Sequence, residues 1–101
     1  MDNVQKQVDK IIDEINNITE LLYQQKVLEG YAALNATLVK IMKIMEIIGG
    51  FSKGNKLAYD LEQLNLNLKT ALGAMEKKDN VLLADILNYE IAEQLRNLVT
   101  K

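Results

Sequence analysis

The amino-acid sequence predicts an all-α protein, an antiparallel up-down-up-down four-helix bundle, and three observations support this fold class. Four segments of similar length carry an apolar residue every three or four positions, a spacing that gives each helix an apolar face to bury. The connections between the segments are short, which favours antiparallel neighbours. Hydrophobic residues make up 49% of the chain and charged residues 26%, which is typical of a globular domain.

The apolar residues form one stripe in each segment. The four stripes are Val4-Val8-Ile11-Ile15-Ile18-Leu22, Leu28-Tyr31-Asn35-Leu38-Met42-Met45, Leu57-Leu61-Leu64-Leu68-Leu72-Met75 and Ala84-Leu87-Ile91-Leu95-Leu98. A helix of about 20 residues is roughly 30 Å long. We predict helices over about residues 3–23, 27–48, 56–77 and 80–100, and we expect residues 1–101 to form a single domain with its own core.

The first helix is predicted to begin at Asp2 or Asn3 and to run to about Tyr23. Both residue types accept hydrogen bonds from the unpaired amides of a first turn, and Asp2 also suits the positive end of the helix dipole. Each is therefore a candidate N-cap.

The boundary between the first and second helices is predicted from the phase of the apolar stripes. Continuing the first stripe would place Gln25 and Glu29 in the core, whereas the second stripe begins at Leu28 and Tyr31. In one continuous helix this slip would turn the apolar face by roughly 100°. A turn near residues 24–27 removes the conflict.

The second helix is predicted to end at Ile48, because Gly49-Gly50 is typical of a left-handed C-cap. Residues 49–55 have the composition of a loop, and Ser52 or Asn55 is available to cap the third helix.

The third helix is predicted to end at Glu76-Lys77-Lys78, where the lysines suit the negative end of the helix dipole. Asp79 or Asn80 is then the candidate N-cap of the fourth helix, which runs almost to Lys101.

The residue types exclude much of the common chemistry of active sites. The chain has no cysteine and no histidine, so it has no disulfide, no Ser-His-Asp relay and no zinc site of usual composition. Asp85, Glu90 and Glu93 are a conceivable magnesium or calcium site, but their pattern is more typical of a solvated acidic face. We expect no enzymatic activity, no cofactor and no metal.

Charge and hydropathy exclude two further kinds of partner. The net charge is −2 and the charges are dispersed, so we expect no nucleic-acid partner. Lys40, Lys43 and Glu46 interrupt the most apolar segment, so a membrane partner is not expected. The start of the chain, Met1-Asp2-Asn3, is unlike a signal peptide, and we expect a cytoplasmic protein.

Two helices carry more apolar residues than one buried face requires. At 100° per residue, these additional residues point away from the stripes of the third and fourth helices. They are Tyr59, Leu66, Leu82, Ile86 and Tyr89. Either they form a surface for a protein partner or for self-association, or neighbouring helices cover them.

A methionine and isoleucine cluster forms the end of the second helix. The cluster is Ile41-Met42-Ile44-Met45-Ile47-Ile48, followed by Phe51. Methionine is common on adaptable binding surfaces, but a flexible core layer closed by Phe51 explains the cluster better than a binding groove does.

The segment Lys78-Asp79-Asn80-Val81-Leu82-Leu83-Ala84-Asp85-Ile86-Leu87-Asn88-Tyr89-Glu90 and the motif Leu28-Glu29-Gly30-Tyr31 resemble small uncharacterised helical proteins of low-GC Gram-positive bacteria. In size and architecture the chain is also similar to flagellar export chaperones, which hold a terminal helix of a subunit. That resemblance implies a chaperone or adaptor with its client groove on the third and fourth helices.

A second resemblance is to the helical hairpins secreted by the type VII route. Gly49-Gly50 lies at the middle of the chain, and Tyr89 and Glu93 match the spacing of their terminal signal, although the Trp-x-Gly turn is missing. The expected function is therefore a non-enzymatic protein-binding module. The alternatives are a structural homodimer and a secreted helical hairpin.

Overall fold

The computed structural model describes residues 2–51 and 55–99, and these residues contain helices and turns but no strand. The helices are α1 (Asp2–Tyr23), α2 (Val27–Phe51), α3 (Asn55–Glu76) and α4 (residues 80–99). They pack into a body of 40 × 23 × 19 Å. The predicted all-α four-helix bundle is confirmed.

The four helices do not contact one another equally. α1 packs against both α2 and α4, and α3 packs mainly against α4, whereas α2 and α3 make few contacts. The hydroxyl of Tyr31 on α2 lies 3.4 Å from the carbonyl oxygen of Met75 on α3, and it donates to Oδ1 of Asn80, the first residue of α4, at 2.5 Å. The core therefore lies along α1 and α4, and the side between α2 and α3 is less closed.

The turn between α1 and α2 lies at residues 24–26, where the phase of the apolar stripe changes. Gln25 has a φ of 63°, the N–H of Lys26 donates to the carbonyl of Leu21 at 2.8 Å, and the N–H of Gln25 donates to Leu22 at 3.0 Å. This is a Schellman motif with glutamine in the left-handed position, where glycine is usual. The cap is therefore made without the residue that normally signals it.

The turn between α3 and α4 has the same construction. Lys78 has a φ of 60°, the N–H of Asp79 donates to the carbonyl of Ala74 at 2.9 Å, and the N–H of Lys78 donates to Met75 at 3.0 Å. The carboxylate of Asp79 then accepts from the N–H of Leu82 at 3.2 Å and caps α4. One short segment ends one helix and begins the next.

The predicted end of the second helix is wrong. α2 continues through Gly49-Gly50 to Phe51, and no glycine in the described residues has a positive φ. Within residues 2–51 and 55–99 the chain has turns at residues 24–26 and 77–79, which a plan of two long helices does not include. The candidate cap Ser52 lies outside the described residues, as do the side chains of Asp2 and Asn55.

The predicted core stripe of α2 is only partly buried. Leu28 and Met42 are exposed, and Tyr31, Leu38 and Met45 are half-buried. A parallel stripe takes the core positions instead, and it consists of Leu34, Thr37, Ile41, Ile44 and Ile48. Because α2 is apolar on several sides, its sequence does not specify which side packs on α1.

A polar contact joins α1 and α2 beside this core. Thr37, which is buried, donates through its hydroxyl to Oε1 of Glu14 at 2.7 Å, and Nζ of Lys40 lies 2.8 Å from Oε2. Partial burial acts to raise the pKa of Glu14. The hydrogen bonds from Lys40 and Thr37, with the charges of Lys40 and Lys10, outweigh burial and hold that pKa below its ordinary value.

α4 contains a π-helical segment that the sequence did not indicate. It is α-helical over Asn80–Asp85, π-helical over Ile86–Ile91 and α-helical again over Ala92–Val99. The N–H of Ala92 donates to the carbonyl of Leu87, five residues earlier. Such a segment widens the helix and changes which residues share a face.

Candidate protein-interaction surfaces

Three of the residues proposed from sequence lie on α4, and the structure separates them. Leu82 and Tyr89 are exposed, at 44% and 66% of their accessible areas, whereas Ile86 is 7% exposed and belongs to the core. The prediction that Ile86 is part of an exposed surface is therefore wrong.

The π-helical segment explains the burial of Ile86. In a π-helix, residues five apart lie on nearly the same face, because the hydrogen bonds connect residues five apart. Ile86 is paired in this way with Ile91, and Leu87 with Ala92, and all four are buried. A constant 100° per residue places Ile86 on the wrong side of the helix.

The remaining α4 residues form a surface that we call the α4 face, defined by Leu82, Asp85 and Tyr89. Asp85 lies three residues after Leu82, so these two side chains are neighbours on the helix, and Tyr89 is close enough to Tyr23 to contribute to the raised pKa of that tyrosine. The hydroxyl of Tyr23, at the end of α1, donates to Oδ1 of Asp85 at 2.5 Å. The α4 face therefore lies on the side of α4 that is next to α1.

The other two proposed residues lie on the outer side of α3. Tyr59 and Leu66 are both exposed and are seven residues apart, about two helical turns. The amide of Asn67 donates to Oε1 of Gln94 at 3.0 Å, which marks the polar contact between α3 and α4. The four exposed residues thus form two pairs, one on each helix, and no hydrogen bond in the described residues connects the pairs.

The electrostatics of the α4 face are dominated by the bond between Tyr23 and Asp85. The hydrogen bond to the Asp85 carboxylate, then desolvation, and then the charge of Asp85 with a smaller electrostatic contribution from nearby Tyr89, raise the pKa of Tyr23 to about 12. Tyr23 is therefore protonated near neutral pH and acts as a hydrogen-bond donor.

A cavity of about 440 Å³ opens beside the α4 face, at the end of the bundle where the two turns meet. Its volume lies within the range of small-molecule sites. It is lined by Leu22, Tyr23, Gln25, Val27, Lys78, Asp79, Asn80 and Val81. The lining combines apolar and polar side chains. The cavity is therefore a recess beside the exposed apolar residues of the α4 face, and its lining does not form a cluster of reactive groups.

The carboxylates considered as a metal site do not assemble into one. Asp85 accepts from Tyr23, and Glu93 pairs with Arg96 one turn away on the same helix. In the part of the chain that the structure describes, no three acidic residues are grouped closely enough to hold a metal ion. None of the helices described is both long and apolar enough to cross a bilayer.

Sequence analysis missed a further exposed surface, which lies on α2. We call it the α2 outer face and define it by Leu28, Ala32, Ala36 and Val39. All four are exposed, and Leu28 is 85% exposed. The signal was present in the sequence, since Leu28 opens the predicted stripe, but the pattern assigned that stripe to the core.

Comparison with known proteins places the chain in one family. A protein-family model described as a domain of unknown function (DUF8042) matches residues 1–101. No curated protein and no solved structure matches the chain.

Proposed function

The chain belongs to the DUF8042 family, and we propose that it is a non-enzymatic protein-binding module. In this proposal it works as a chaperone or adaptor that holds a partner helix on the outer faces of α3 and α4. One observation carries the proposal: two helices each expose two large apolar side chains seven residues apart. The pairs are Tyr59 with Leu66, and Leu82 with Tyr89.

The spacing of these side chains suits a helical partner. An amphipathic helix presents apolar anchors at positions i, i+3 or i+4, and i+7, so two turns of a partner span one of the pairs. Tyrosine is also common among the residues that dominate binding energy, because it buries a large apolar ring and keeps a polar tip. Tyr59 and Tyr89 are the most exposed members of their pairs.

The setting of the α4 face supports the choice of this surface. Ile86 is buried beneath it, and Tyr23 fixes Asp85 between the two apolar side chains. The surface is therefore held by the core and by a hydrogen bond before any partner arrives, which lowers the entropic cost of binding. Asp85 and the exposed Glu90 give it a negative margin, so the proposed partner helix carries basic residues beside its apolar stripe.

Site-specific photocrosslinking in the source cells tests the proposal. A photoreactive phenylalanine analogue replaces Tyr89 in one variant and Tyr59 in another, and the exposed Asp13 on α1 is the control position. We expect one protein to be crosslinked from position 89, from position 59 or from both, through a peptide with an amphipathic helical pattern. Crosslinks that are equally abundant from position 13, or absent from positions 59 and 89, would contradict the proposal.

A further inference from the structure

The α2 outer face is an apolar surface that the bundle leaves without cover. Only Glu29, Lys40, Lys43 and Glu46 are charged among the 25 residues of α2. The helix packs on α1 through one apolar side, and α3 makes few contacts with it. A helix that is apolar on all sides is normally buried on all sides. The face therefore has the composition of an interface.

The charges around this face follow a self-complementary order. Lys26, in the turn before α2, and Glu29 lie near the start of the helix, and Lys43 and Glu46 lie towards its other end. All four are exposed, and none of them takes part in an ion pair within residues 2–51 and 55–99. Residue 36 is the midpoint of both 26–46 and 29–43. Reversing the helix about Ala36 therefore brings Glu29 level with Lys43, which lie on the same side of the helix, and Lys26 level with Glu46.

We infer that a second copy of this chain covers the α2 outer face, with the two α2 helices antiparallel across a twofold axis at Ala36. The alanine at the axis lets the two backbones approach closely. At this register Val39 of one copy lies within one residue, about 1.5 Å along the axis, of the level of Ala32 of the other, so a larger side chain packs beside a smaller one. Leu28 lies near the level of Met42, which is also exposed.

The charges select a second copy rather than an unrelated protein. A twofold dimer is isologous, so each surface must complement itself. Glu29 and Lys43 are 14 residues apart, close to four full turns, and therefore lie on the same flank of the helix. In an antiparallel pair the same flanks of the two helices meet, so Glu29 of each copy lies beside Lys43 of the other and two equal ion pairs form. In a parallel pair each charged residue would lie level with its own copy, so like charges would be opposed. This surface is separate from those of α3 and α4, and the inference does not depend on the proposed function.

Cysteine crosslinking tests the arrangement directly, because the chain has no cysteine of its own. We expect Ala36→Cys to form a disulfide-linked dimer under mild oxidation, and the exposed Asn17→Cys on α1 to stay largely unlinked. Glu29→Cys and Lys43→Cys should each remain unlinked alone and should crosslink when the two proteins are mixed. In the antiparallel pair two copies of residue 29 are roughly 21 Å apart along the helices.

Sedimentation velocity and charge reversal supply a second measurement. We expect the wild type to have twice the mass of one chain at micromolar concentration. Glu29→Lys and Lys43→Glu should each weaken the dimer about tenfold, and the double variant should restore it. Circular dichroism checks that each variant keeps its helicity. Three results would overturn the inference. A wild-type monomer would mean that there is no dimer, and self-crosslinking of Glu29→Cys would indicate a parallel dimer. A double variant that dimerises as weakly as the single variants would mean that the ion pairs do not form.

Discussion

The hydroxyl of Tyr23 donates a 2.5 Å hydrogen bond to the carboxylate of Asp85. Tyr23 is the last residue of α1, and Asp85 is the last α-helical residue before the π-helical segment of α4. The bond joins the end of one helix to the point at which another changes its winding. It also sets the position of Asp85 between Leu82 and Tyr89 on the α4 face.

We expect Tyr23 to lose its proton at higher pH than an ordinary tyrosine. Its pKa is raised from 10.0 to about 12, so the folded state favours the protonated form. The resulting stabilisation is present in full below the unfolded pKa near 10 and is lost as the pH rises towards 12. In Asp85→Asn the pKa of Tyr23 should fall towards 10. Ultraviolet titration of tyrosine ionisation measures the pKa of Tyr23, and Tyr23→Phe identifies which part of the signal comes from that residue. Identical titration curves for Asp85→Asn and wild type would show that Asp85 does not raise the pKa of Tyr23.

Glu14 should make the free energy of unfolding depend on pH in the acid range. Its pKa is lowered in the folded state, so its contribution is present above the ordinary value of 4.5 and is lost as the pH falls through the folded pKa. Glu14→Gln should cost about 1 kcal/mol at neutral pH and flatten the acid dependence. Urea unfolding at several pH values compares this variant with Glu20→Gln, an exposed control on α1. Parallel curves for wild type and Glu14→Gln would contradict the prediction.

Two neighbouring substitutions on α4 should differ sharply in their effect on stability. Ile86→Ala removes a core side chain that is 7% exposed and should lower the free energy of unfolding by about 2 to 5 kcal/mol. Leu82→Ala alters a side chain that is 44% exposed and should cost less than about 1 kcal/mol. Chemical denaturation measures both. Equal costs would mean that the π-helical segment does not turn Ile86 into the core.

Glycine substitutions distinguish the observed caps from the predicted one. Gln25 has a positive φ, which costs a residue with a side chain about 1–2 kcal/mol. Glycine avoids this cost, but part of the gain is lost because glycine makes the unfolded chain more flexible. Gln25→Gly should therefore stabilise the fold by up to about 1 kcal/mol. Gly50 is helical, and an added Cβ would meet nothing within 4 Å, so Gly50→Ala should also stabilise it by up to about 1 kcal/mol. A clear loss of stability in Gly50→Ala would indicate a left-handed cap there.

The fold class could be predicted from the sequence because four apolar stripes demand four buried faces. The turn after Tyr23 could be located from the phase of two stripes, although neither glycine nor proline marks it. The caps at Gln25 and Lys78 could not, because their backbone hydrogen bonds, rather than a favoured residue type, hold them in place. Gly49-Gly50 misled for the opposite reason: glycine tolerates the helix as well as the left-handed turn.

The candidate surfaces were less accessible to sequence analysis. Tyr59, Leu66, Leu82 and Tyr89 could be found as apolar residues off the main stripes. Ile86 was misplaced because a π-helical segment depends on packing at both of its ends, which a fixed angle per residue does not include. The exposed side of α2 was missed because several faces of that helix satisfy the same apolar pattern, and only packing against α1 selects one.

The central claim, binding of a partner helix on α3 and α4, is tested most directly by comparing the proteins that co-purify with matched variants. Leu82→Ser with Tyr89→Ser alters the α4 face, and Leu28→Ser with Val39→Ser is the control on α2. Each pair replaces two exposed apolar side chains. We predict that wild type and the α2 variant retain one stoichiometric partner in quantitative mass spectrometry, and that the α4 variant loses it while keeping its helicity. A partner held equally by all three proteins, or no partner in wild type, would contradict the account.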